Sequence, residues 1–175
     1  MTGTLAGLAA AYPELDYSAI DYEYLRAVSQ TMVPFGAHVG TLITEISPQR
    51  AVVEIPAVEQ VRNHMGTVHA GALFTAADIA GAAAVVGAAA QRLHTIERLV
   101  LRAATATYRK PALARIRAIA TVAGPDLAPI LSATESARFE LPGKVSLLDD
   151  NATLVAEFTF DYVCDVIIAG NSNAT

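Results

Sequence analysis

Apolar positions along the chain change period several times, and each change marks an element. Over residues 17–33, Ile20, Tyr24, Ala27 and Val28 recur on one helical face, with Ser18 and Asp21 spaced as a capping box and Pro34 as the stop. Residues 38–46 and 50–55 read as two strands joined by a Ser47-Pro48-Gln49 turn. Residues 70–90 are apolar on every side and rich in Ala and Gly, the pattern of a helix enclosed by the rest of the fold. Beyond them the period drops to two. Leu99, Leu101, Ala103, Thr105 and Thr107 alternate with Arg98, Val100, Arg102, Ala104 and Ala106, ending at Arg109-Lys110-Pro111. Residues 113–123 continue this pattern, with Arg115 and Arg117 opposite Ile116 and Ala118. Two prolines make residues 124–132 a loop or short helical turn, and Pro142-Gly143 interrupts the strand-like stretch 133–148. After a hairpin turn at Asp149-Asp150-Asn151, Leu154, Ala156, Phe158, Phe160, Tyr162, Cys164 and Val166 face one way along the last strand.

This order, a helix, two strands, one long enclosed helix, then three or four strands, predicts an α+β domain whose antiparallel sheet curls around one helix. The expected organisation is an N-terminal helical segment over residues 1–34 packed on the domain, the sheet-and-helix domain over 35–168, and a polar tail over 169–175. A length of 175 residues suits one domain.

Composition narrows the function classes. Hydrophobic residues make up 53% and charged residues 17%, enough apolar surface to exclude a disordered chain. Residues 66–90 are nearly uncharged and long enough to cross a bilayer, but strong apolar groups are few and Asp78 sits in the middle, so a buried helix and no membrane partner are expected. No basic segment followed by an apolar run opens the sequence. The single cysteine, Cys164, has no internal partner and no Cys/His cluster suggests a metal, so a reducing, cytoplasmic setting is expected.

Net charge −5 and pI near 5.3 argue against a nucleic-acid partner. The charge is uneven, however. Residues 1–49 carry −4, residues 50–117 carry +5 and residues 118–175 carry −6. The basic middle marks either a local anion site or arginines on solvated strand faces.

No nucleophile elbow, dinucleotide fingerprint or phosphate loop occurs. The informative stretch is Asn63-His64-Met65-Gly66-Thr67-Val68-His69-Ala70-Gly71-Ala72-Leu73-Phe74-Thr75-Ala76-Ala77-Asp78. It resembles the N-x5-H-G-G-x-L-F-x-x-A-D signature of the PaaI-like hotdog-fold acyl-CoA thioesterase family, with Asn63, His69, Gly71, Leu73, Phe74, Ala77 and Asp78 at matching spacings. Tyr108-Arg109-Lys110-Pro111 is similar to a strand-ending pattern of the same proteins. The resemblance covers residues 35–166. It departs at Ala70, where the family has the first glycine, and at Ile79, where relatives often carry a hydroxyl.

The chemistry can also be argued from the residues. Thioester hydrolysis needs donors for a developing oxyanion and a carboxylate to activate water or attack the carbonyl. The Ala70 and Gly71 amides, in the first turn of the central helix, lack intrahelical acceptors and sit at its positive end. Asp78, the candidate base or nucleophile, lies eight residues on, ~12 Å up the same helix. One chain cannot bring both to one carbonyl, so a homodimer with shared sites is expected, alone or as a dimer of dimers, and the resemblance implies the same assembly. Asn63 and His69 complete the candidate catalytic set. Arg62, Arg98, Arg109 and Lys110 are candidates for the phosphates of coenzyme A, which enters as part of the substrate and not as a cofactor.

Each candidate has a structural alternative: Asp78 as an acid bonded to a strand, His69 as a helix cap, Asn63 as a turn residue, the arginines as solvated strand residues. The expected function is hydrolysis of an acyl-CoA or acyl-carrier-protein thioester. Two rival readings stand beside it. One is a non-catalytic acyl-thioester or lipid-binding hotdog protein; the other is a hotdog hydratase or dehydratase, whose glycine- and proline-rich loop around the catalytic His this sequence lacks.

Overall fold

The computed structural model of the protein describes residues 7–168; the tail at 169–175 and the first part of the N-terminal segment lie outside them. Helix α1 (Tyr22–Met32) and a short α2 (Pro34–Val39) precede strands β1 (Leu42–Ile46) and β2 (Ala51–Ile55). The long α3 (Ala70–Ala88) follows, then β3 (Ile96–Tyr108), β4 (Ile116–Thr121), α4 (Gly124–Leu131), β5 (Ala137–Leu148) and β6 (Leu154–Val166). The strands form one antiparallel sheet in the order β1-β2-β4-β5-β6-β3, with α3 lying across β2, β4 and β5. A curled sheet around a central helix is the hotdog fold that the alternation along the sequence predicts. α3 is long and apolar enough to cross a membrane, yet it is mostly buried against the sheet.

Several local expectations are corrected. α1 begins at Tyr22, because Asp21, not Ser18, caps it by accepting from the Glu23 and Tyr24 amides. Ser18 donates both its amide and its hydroxyl to Asp16 instead. The buried face of α1 centres on Leu25 and Ser29 and leaves Ala27 exposed, since the Ser29 hydroxyl meets Tyr12 Oη at 2.8 Å beneath the helix. Pro34 ends α1 but also starts α2, where its fixed φ suits the first helical position. His38 therefore sits on a helix, and β1 waits until Gly40, at φ +80°, has turned the chain. Residues 124–131 form a true helix with Pro125 in its first turn.

Pro142 does not break β5. β4 pairs with β5 only as far as Lys144, so the proline nitrogen faces no neighbouring strand on that side while its other edge pairs with β6. Gly143 lets the Tyr162 ring approach; a Cβ there would lie 3.0 Å from it.

β3 departs most from its pattern. A bulge between Leu101 and Ala103 inverts the alternation. Opposite the inward Tyr162, Phe160, Phe158 and Ala156 of β6 stand Leu101, Ala104, Ala106 and Tyr108, so Ala103, Thr105 and Thr107 turn outward. β3 is also an edge, paired to β6 alone and exposed on both faces from Arg102 to Tyr108.

Sheet register also neutralises much of the basic middle of the sequence. Arg102 pairs with Glu140, Arg109 with Glu157, and Arg115 with Glu54 and Asp150. Arg98 and Arg138, cross-strand neighbours of Asp165 from β3 and β5, both bind its carboxylate and hold it at about 2, well below the usual carboxylate range. A group depressed in this way stabilises the fold fully above its unfolded value and loses that contribution as pH falls through the folded one. The Tm of wild type should therefore drop between about pH 4 and pH 2 more steeply than that of Asp165→Asn, as thermal melts across that range would read.

Candidate active site

The first turn of α3 gathers most of the candidates. His69 is the N-cap, its Nδ1 accepting from the Gly71 amide at 2.9 Å. An Nδ1 that accepts leaves Nε2 as the ring's donor nitrogen, on an exposed side chain. This cap occupies one of the two expected oxyanion donors, Gly71. The Ala70 amide meets no protein acceptor among the described residues, and its carbonyl accepts from Tyr108 Oη at 3.3 Å.

Beside this turn lies a cleft of about 590 Å³ that brings Asn63, Ala70, Arg109 and Lys110 together with Tyr108 and Leu113. Asn63 is committed to its own turn: Oδ1 accepts from the Met65 and Thr67 amides, and Nδ2 donates to the Thr67 hydroxyl. Arg62 donates to the carbonyls of Ala57, Gly66 and Leu113 and ties the loop down. Arg98 and Arg109 are held by Asp165 and Glu157. Of the four basic candidates, Lys110 is the one whose side chain is bound by neither a carboxylate nor a carbonyl among the described residues, and it lines the cleft.

Asp78 is not in that cleft. α3 is less enclosed than its composition predicts, because Gly71, Phe74, Asp78 and Ala82 form one stripe that stays partly open. The Phe74 ring on this stripe packs edge-on against Phe158 and Phe160, and Tyr108 packs edge-on against Phe158. Burial raises the Asp78 carboxyl above its usual range, and no hydrogen bond or cation among the described residues offsets this. A carboxylate poised in this way holds a proton more readily than an exposed one, which suits proton transfer. Ile79, where the chain departs from relatives that often carry a hydroxyl, points elsewhere: its Cδ1 fills the space left by the missing side chain of Gly36 on α2.

Periodicity did not single out Tyr162. Its hydroxyl is buried without a partner among the described residues and abuts Gly81, one turn from Asp78; burial, and after it the Asp78 charge, pushes the phenol well up. The available signal was a phenol on an otherwise apolar strand face. An unpaired buried hydroxyl costs roughly 1–3 kcal/mol. Tyr162→Phe should therefore leave the fold unchanged and raise Tm in a thermal melt. Gly81→Ala should lower it, because the new Cβ collides with the Tyr162 hydroxyl. Cys164 is core, its thiol pushed up to about 11 by burial and the adjacent Asp165.

Solved structures share the fold. A Pseudomonas aeruginosa protein of unknown function described as a probable thioesterase is 21% identical, with TM-score 0.66 over 82% of this chain and 95% of that one. The E. coli PaaI protein of the phenylacetic acid degradation operon is 20% identical, with TM-score 0.57 over 78% of this chain and 89% of that one. A variant of PaaI from Thermus thermophilus is 24% identical, with TM-score 0.55 over 75% and 98%. Two of these three structures are PaaI proteins, the type whose signature residues 63–78 resemble. No curated protein matches the sequence significantly. Residues 22–163, from the start of α1 almost to the end of β6, match the model of a domain of unknown function, DUF4442, and on that match the chain belongs to this family.

Proposed function

We propose that the protein hydrolyses an acyl-CoA or acyl-carrier-protein thioester, in sites that each combine two copies of the chain. The observation that carries this is Asp78, a partly open carboxylate raised by burial on the same helix whose N-terminal turn offers a free amide. Asp78 would take a proton from water as its oxygen adds to the thioester carbon, and return that proton to the sulfur as the C–S bond breaks. The Ala70 amide would stabilise the oxyanion, joined by the Gly71 amide once the His69 ring swings aside.

Within one chain these groups are ~12 Å apart. An antiparallel second copy of α3 would bring its amides to Asp78. The open β3 edge supports such a pairing, since the outer edge of a thirteen-residue strand needs cover, and a two-fold axis beside β3 would supply it. Lys110 and the cleft at the start of α3 would then receive the coenzyme A side of the substrate.

Purified protein with a panel of acyl-CoAs and a free-thiol assay tests the reading. Thiol release supports hydrolysis. Binding without turnover sinks it in favour of an acyl-binding protein, and loss of enoyl absorbance in favour of a hydratase.

A further inference from the structure

One turn beyond Asp78, the open stripe of α3 meets a second concavity, a small apolar pocket of 170 Å³. It is lined by Ala82, Ala83 and Val86 of α3, by Leu99 of β3, and by Tyr12 and Ser29 of the N-terminal segment. The Tyr12 and Ser29 hydroxyls meet at 2.8 Å on two almost fully buried residues, so these polar groups already partner one another. Among the described residues no charged side chain lines the pocket. Ala82 and Ala83, both small, line this space, whereas Ala80 and Ala84 do not.

We infer that this pocket receives the acyl end of the substrate and restricts it to short groups, a straight chain of about six carbons or a single ring. The size follows from the volume, because an apolar cavity of roughly 150 Å³ accommodates benzene. The site follows from continuity: Ala82 lies one helical turn from Asp78 on the same stripe, so an acyl group entering beside Ala82 leaves its thioester carbon at the carboxylate. The thioester part of this assignment rests on the proposed hydrolysis; the preference for a short apolar group rests on the pocket alone.

Non-hydrolysable S-alkyl-CoA thioethers separate the two. In titration calorimetry, affinity should rise about fourfold per methylene from S-butyl- to S-hexyl-CoA, the worth of one buried methylene, and gain nothing further at S-dodecyl-CoA. S-hexyl-CoA should shift the methyl NMR signals of Ala82, Val86 and Leu99. Ala83→Leu, which fills the pocket, should erase the gain at S-hexyl-CoA, and Val86→Ala, which enlarges it, should move the plateau to longer chains. Affinity that keeps rising through S-dodecyl-CoA overturns the inference. So do methyl shifts confined to other regions, or a chain-length profile unchanged in the folded variants. If no acyl-CoA is hydrolysed yet S-hexyl-CoA shifts these methyls, the pocket stands and hydrolysis falls.

Discussion

Asp78→Asn is expected to lower thioester hydrolysis by about a thousandfold while leaving the fold and the assembly intact. The magnitude is that of losing a positioned general base, roughly 10²–10⁴ in rate. Asparagine keeps the shape but neither accepts a proton nor attacks a carbonyl. The same change should raise Tm at neutral pH. The Asp78 carboxyl is raised in the folded chain by burial, so its contribution is most favourable below its usual value of 3.8 and is lost as pH rises through the folded value. The Tm gap between variant and wild type should therefore widen from acid to neutral pH, and the rate of the wild type should climb with pH over the same raised range. Wild-type turnover by the asparagine variant would remove Asp78 from the chemistry.

Subunit mixing should restore activity to two inactive variants. Asp78→Ala lacks the base. Gly71→Pro lacks the amide that His69 Nδ1 accepts, at a position in the first helical turn where proline is tolerated. Unfolded and refolded together in equal amounts, half of the dimers pair one chain of each kind. Each such dimer holds one site with both defects and one with neither, so the mixture should recover about a quarter of wild-type activity. Heterodimers that form without activity would refute a shared site, as would an active wild type that sediments as a monomer.

The candidate site was partly legible in the chain. The spacing from Asn63 to Asp78 marked the loop, the helix start and the acid; in the structure the loop leads into α3, which carries the other two. The order of elements with the small-residue helix in the middle marked the sheet that surrounds it. The 63–78 motif did not show which groups are already engaged. Arg62, Arg98 and Arg109 read as free cations along the sequence, yet their partners are carbonyls near and far in the chain, Asp165 and Glu157. Those last two acids lie more than forty residues away and arrive through the β3–β6 pairing.

By itself the sequence determined what depends on near neighbours. The period-two run of β6 holds from Leu154 to Val166, because alternation on a strand needs only adjacent residues. The stretch from Ala70 to Ala88 is helical because it is free of proline and flanked by a capping His69. Asp149 folds its own turn by accepting from the Asn151 and Thr153 amides. Tertiary structure decided what depends on distant partners. The bulge at Leu101/Ala103 reverses the faces of β3, and no local pattern encodes it, since Ala and Thr at 103–107 fit either face. The open stripe at Asp78 exists because the sheet leaves one side of α3 uncovered, and the apolar pocket beside it is lined by Tyr12, Ser29, Ala82 and Leu99, which only the fold brings together. An alternation reports burial only once the opposing surface is present, and for β3 and α3 the sheet edge leaves that surface missing in one chain.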